Sequence, residues 1–145
     1  MRRLLRSPLR STAVFGYLSV IYWGNYASQA GVSNRRFALA RVKFALPYLN
    51  TPCNELAVAR TLRAAYTLIN RRKYGDALWL LTTLPRLGIA FASKACALMA
   101  PDHCGVIDSV IAEQYPQFGF TLRQGYIAKT HANAVRFQRY CYSLQ

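Results

Sequence analysis

Apolar residues recur along this chain at the three- and four-residue intervals of an α-helix, and no segment shows the alternation of a half-buried strand. A first helix is predicted from a Ser11 or Thr12 cap to about Trp23, stopped by Gly24-Asn25. From Arg35 to Leu46, the residues Phe37, Leu39, Ala40, Phe44 and Leu46 make an apolar face, with Arg36, Arg41 and Lys43 on the wet side. Pro47 ends that helix. A third opens at Thr51-Pro52, turns Leu56, Ala59, Leu62, Ala65, Tyr66 and Ile69 inward, and ends in Asn70-Arg71-Arg72-Lys73. Tyr74 to Leu84 reads as a short helix, Pro85 to Gly88 as a turn, and Ile89 to Met99 as the next helix. After a break at Pro101, Asp108 caps a helix to Glu113, and Gln124 to Cys141 is the last. The pattern predicts a single all-α domain over residues 1–145, a compact bundle of six to eight short helices. Residues 1–12 read as a basic arm without fixed structure.

A chain of 145 residues with 53% hydrophobic residues is long enough to bury a core. Nineteen Lys and Arg stand against five Asp and Glu, a net charge of +14. Fifteen of the cations are arginines. A guanidinium stays charged and matches phosphate oxygens with two parallel hydrogen bonds, so this composition favours a polyanionic partner. A generally basic surface is the plainer alternative. The carboxylates Glu55, Asp76, Asp102, Asp108 and Glu113 all fall in the middle of the chain. Any acid-dependent chemistry must draw on these five.

Cys53, Cys96, Cys104 and Cys141 contain no CxxC pair and match no common zinc or iron–sulfur spacing. No metal and no cofactor are expected, and reduced thiols in an intracellular protein are the reading taken. The Arg-rich start, the apolar stretch Ala13–Trp23 and the tract Ala27-Ser28-Gln29-Ala30 imitate a signal or transit peptide. Against that, Gly16, Ser19, Tyr17, Tyr22 and Trp23 suit a packed helix, and about eleven residues cannot span a bilayer. The expectation is a cytoplasmic, nucleoid-associated monomer with no membrane segment.

The chemistry concentrates between Leu84 and Asp108. Two short helices joined by Leu84-Pro85-Arg86-Leu87-Gly88 form a tight hairpin. Its backbone amides and the following helix start can receive an anion, and glycine spares both the turn and a close phosphate approach from an obstructing Cβ. An apolar pair, Val106-Ile107, then delivers Asp108. This segment resembles the helix-hairpin-helix DNA glycosylase superfamily, with residues 74–100 as the helix-hairpin-helix. Leu84-Pro85-x-Leu87-Gly88 aligns with the family hairpin, Ala92 with its helix-packing alanine, and Asp108 falls without a gap on its catalytic aspartate. Ala92-Ser93-Lys94 and Tyr22-Trp23-Gly24 also look like a branch of 8-oxoguanine glycosylase-like proteins. The resemblance implies double-stranded DNA as partner and excision of a damaged base.

The chain departs from that pattern in three ways. Arg86 replaces the first hairpin glycine, and Ala90 stands where bifunctional members carry a Schiff-base lysine. The chain is also shorter than typical members and lacks their four-cysteine cluster loop. A monofunctional enzyme using water as nucleophile is therefore expected, with Asp108 catalytic and Lys94, one turn beyond position 90, either a displaced amine or a phosphate contact. Arg86, Leu87, Gly88, Lys94, Arg71, Arg72 and Lys73 are the expected DNA contacts, and Tyr22 and Trp23 the expected walls of a base pocket. Each has a plainer reading beside it. Asp108 before Ser109 is a good N-cap, Arg71–Lys73 complement a helix dipole, and Tyr22 and Trp23 suit a core. A non-catalytic module gripping nucleic-acid backbone is the alternative function.

Overall fold

The computed structural model describes residues 1–26 and 34–145, so the Ala27-Ser28-Gln29-Ala30 tract lies outside the described residues. Among those residues the chain forms eight α-helices and one two-stranded sheet. The helices are α1 (Arg2–Leu5), α2 (Arg10–Tyr26), α3 (Arg35–Ala45), α4 (Pro52–Asn70), α5 (Tyr74–Leu81), α6 (Ile89–Met99), α7 (Ser109–Gln114) and α8 (His131–Ser143). Strands β1 (Leu122–Arg123) and β2 (Tyr126–Ile127) lie between α7 and α8. The fold is all-α, as the periodicity predicts.

Two helices organise the packing. α2 lies against α1, α3, α4 and α6, and α5 against α4, α6 and α8. Tyr17, Val20 and Ile21 of α2 meet Leu62, Ile69, Leu78, Leu81, Ile89 and Phe137 in one continuous core. Burial of each such side chain stabilises the fold by about 1.5–3 kcal/mol. Local signals set the helix starts. Thr51, Asp108 and Thr130 each cap a helix by accepting the N–H three residues on, from Asn54, Ile111 and Asn133.

Three expectations are corrected. The amino-terminal arm is folded: α1 buries Leu5, Arg6 stacks on Tyr66 at 4.1 Å, Arg10 pairs with Glu55 at 3.2 Å, and Arg63 donates to Pro8 O. Helix α3 buries a narrower stripe than expected, with Arg36 and Lys43 on the wet side as predicted. Its buried residues are Ala38 and Ala45, while Phe37, Leu39, Phe44 and Leu46 are exposed. Residues 124–130 are not helical. Leu122↔Ile127 and Arg123↔Tyr126 pair antiparallel around Gln124-Gly125, both at positive φ. That is the backbone of a tight two-residue hairpin turn.

No helix of the described residues is long and apolar enough to cross a membrane. Cys96, Cys104 and Cys141 are buried and Cys53 exposed, all as free thiols. A hydrogen bond to Cys104 and burial push the Cys141 thiol well above its ordinary range, so it is a poor nucleophile.

Candidate functional site

The 82–88 turn departs from the sequence reading in which glycine it needs. Leu87 N–H closes on Leu84 O at 3.2 Å, with Pro85 and Arg86 between them. Arg86 carries the positive φ, 63°. Proline followed by a left-handed residue is the pairing a type II turn requires, so the conformational demand for glycine falls on position 86, where an arginine stands. Gly88, by contrast, has φ −68° and ψ 176°, extended backbone open to any residue. A Cβ there would meet nothing within 4 Å. The fold does not need glycine at 88; its effect is to keep space open beside the first turn of α6.

The turn is pinned from beneath. Buried Tyr17 donates its hydroxyl to Pro85 O at 2.7 Å, and Lys129 Nζ reaches Thr82 O. Burial raises the Tyr17 phenol far above its usual range, which keeps it a neutral donor. Leu87 is a core residue, 2% exposed, and its amide is engaged within the turn. Its expected DNA contact is therefore withdrawn: its side chain anchors the turn from inside.

Asp108 is held by a second set of bonds. Ser93, fully buried in α6, accepts the Ile107 N–H at 3.0 Å. The single Ser93 hydroxyl proton has two acceptors within reach, Ala90 O at 2.8 Å and Ile107 O at 3.1 Å. From the other side Tyr140 donates to Val106 O at 3.2 Å. Residues 106–108 are thus clamped between α6 and α8. Asp108 Oδ1 accepts the Ile111 N–H at 3.0 Å, so the N-cap reading holds. Its other oxygen has no hydrogen-bond partner among the described residues.

These parts meet in one cleft of about 890 Å³, within the range of ligand sites. Arg86, Gly88, Lys94 and Asp108, assigned from sequence, all line it. Asp108 is the one carboxylate on its wall, against the cations Arg41, Arg86 and Lys94. Each cation rests on a ring: Arg41 on Phe37 at 4.6 Å, Arg86 on Phe44 at 5.2 Å, and Lys94 on Phe91 at 5.2 Å. Such contacts hold a cation without neutralising it. No ion pair joins Lys94 to Asp108; among the described residues only Arg2–Asp102 and Arg10–Glu55 come within 4.0 Å.

Other assigned residues lie elsewhere. Tyr22, Trp23 and Tyr26 pack on one another at 5.4–5.7 Å, Trp23 54% exposed, and none of the three lines the cleft. The same helix contributes Ile21, Gly24 and Asn25 instead, because positions three and four apart share a face. Gly24 lets Phe91 pack against α2: a Cβ there would lie 2.3 Å from the Phe91 ring, which would have to shift. The aromatic walls are Phe37, Phe91 and Tyr126. Arg71, Arg72 and Lys73 sit at the opposite end of α5 from the turn, roughly 12 Å away along that helix. Arg72 has φ 58°, and its carbonyl accepts from Gln138 and Tyr142 of α8. His103 is exposed, and its carbonyl accepts from Gln145.

Sequence reasoning missed Arg41, Phe37 and Tyr126. Helical periodicity put Arg41 in solvent and Tyr126 inside a helix, and only the exposed face of α3 and the hairpin bring them to the cleft. Among the described residues no three His, Cys, Asp or Glu side chains are grouped to hold a metal ion. Compared with protein-family models, with curated proteins and with solved structures, the chain matches none.

Proposed function

We propose that this protein binds double-stranded DNA through the 85–94 turn-and-helix unit and excises a damaged base, as a monofunctional glycosylase of the cytoplasmic nucleoid. The observation that carries the reading is the convergence of Asp108, Arg86, Gly88 and Lys94 on one cleft, with the acid unpaired to either cation. Phosphate approaches the space kept open at Gly88 and the amides of the first α6 turn, whose N–H groups lack intrahelical partners. Arg86, Arg41 and Lys94 neutralise flanking phosphates. An extruded base occupies the cleft, and the C1′–N bond breaks with its electron pair leaving on the base. The free Asp108 oxygen supports the positive charge developing at C1′. Water then adds at C1′, and the proton it loses passes to the departed base anion, leaving a neutral free base and an abasic site.

The experiment is incubation with duplexes carrying 8-oxoguanine, uracil or an alkylated base, scored for abasic sites. Base release from at least one lesion, abolished in Asp108→Asn, is expected. No release from any of them, or full activity in Asp108→Asn, sinks the enzymatic reading.

A second reading has its own support: Asp108 already serves as the cap of α7, which accounts for an acid there without chemistry. In that case the protein is a monomeric backbone-binding module. Binding would then be salt-sensitive and indifferent to sequence, and Asp108→Ala would leave it intact or tighten it.

A further inference from the structure

The β1–β2 hairpin is held far more firmly than two residue pairs can hold themselves. Asn133, fully buried near the start of α8, accepts the Thr121 N–H at 2.9 Å. Its amide donates to Thr121 O at 2.9 Å and Ala128 O at 2.8 Å, so one side chain ties both ends of the hairpin. Arg136 adds bonds to Thr121 Oγ1 and Asn133 Oδ1, both 2.9 Å. The inner pair turns Ile127, 8% exposed, toward the core. The outer pair, Arg123↔Tyr126, projects the other way, because successive strand residues face opposite sides. Tyr126 is 78% exposed and nonetheless lines the cleft that holds Asp108.

We infer that Tyr126 is the stacking platform of this cleft: its ring packs on an unpaired or extruded base at the mouth, while Arg123 beside it contacts the adjoining phosphate. This deepens the nucleic-acid reading above and rests on it. The core takes nothing from the exposed ring, so the hairpin that Asn133 holds presents it to something outside the fold. The cations Arg41, Arg86 and Lys94 on the same cleft select a polyanion as that partner. An aromatic carried on a fixed hairpin among cations suits unstacked bases, since every base offers a π-face irrespective of sequence. A neutral ring adds nothing to a fully paired backbone, so its contribution is confined to substrates with a base out of the stack.

The test uses two fluorescein-labelled duplexes, one fully paired and one with a single unpaired 2-aminopurine, titrated in low salt. The wild type is expected to prefer the second and to quench its 2-aminopurine emission. Tyr126→Ala should lose about 5- to 150-fold in affinity for that duplex, lose the quench, and leave affinity for the paired duplex unchanged. Tyr126→Phe and Tyr126→Trp should keep both, because the ring face acts and not the hydroxyl. Arg123→Ala should weaken both duplexes alike. If Tyr126→Ala keeps the preference and the quench, the inference is overturned while nucleic-acid binding stands. If the wild type binds neither duplex, the underlying reading fails and takes the inference with it.

Discussion

At Gly88 and Arg86 the needs of the fold and of the proposed function separate cleanly. Gly88 has ordinary dihedrals and open space about its Cα. Gly88→Ala should gain about 0.4–1 kcal/mol from a less flexible unfolded chain, offset by alanine's poorer capping. Thermal denaturation should therefore change little, while anisotropy titrations with duplex DNA show weakened binding. Arg86 is the reverse case, holding a left-handed conformation that costs an L-residue about 1–2 kcal/mol. Arg86→Gly is expected to raise stability by about 1 kcal/mol and to lower DNA affinity, both measurable on one preparation. Asp108→Asn keeps a good cap, so its melting temperature should stay near wild type while base release disappears. Asp108→Ala, by contrast, should lose about 1 kcal/mol of stability.

Between elements, the site depends on two buried polar side chains that bridge segments distant in sequence. Ser93 joins α6 to the residue before Asp108. Ser93→Ala leaves the buried Ile107 N–H without its acceptor, at a cost of about 1–3 kcal/mol. It should also slow base release more than it weakens DNA binding, because it frees Asp108 but not the turn. Asn133 plays the same part for the hairpin. In Asn133→Ala, amides of residues 121–128 are expected to exchange with solvent much faster, with α2 and α6 protected as before. Uniformly faster exchange would mean instead that Asn133 supports the whole fold. Neither role was legible from sequence. A lone Ser in an apolar helix and a lone Asn after a Thr cap look like many others until the segments they bind come into contact. The starts of α3, α4, α5 and α7 and the span of α6 were legible, since Pro, Gly and cap residues act within a few positions. The start of α8 was not, because the Thr130 cap sits behind a hairpin that no helical pattern reveals.

Across the whole molecule, nineteen cations face five acids and only two ion pairs form among the described residues. The surplus charge is therefore available to a partner and subject to screening by salt. Three of these cations surround the cleft, Arg41 from α3, Arg86 from the 85–88 turn and Lys94 from α6. Replacing Arg41, Arg86 and Lys94 together by Gln should flatten the log–log dependence of DNA affinity on salt by about 2.5–3. The equivalent triple at Arg71, Arg72 and Lys73 should affect binding less if the cleft face is the docking face. Comparable losses from both triples would extend the interface around the far end of α5.

The sequence by itself determined the all-helical class, the hairpin turn, the excess of arginine and the interval from that turn to Asp108. These depend on dihedral preferences, on capping and on charge, which act locally or by simple addition. The tertiary structure alone decided which face of α3 is buried, and so that Phe37 and Arg41 stand at the cleft while Tyr22 and Trp23 do not. It also decided that residues 122–127 form a hairpin carrying Tyr126 to the same place. Periodicity reveals that a helix has an apolar stripe, but small residues such as Ala38 and Ala45 can be the buried one when a neighbouring helix packs close. Which stripe finds a partner is settled by contacts far apart along the chain, and no local pattern carries that information.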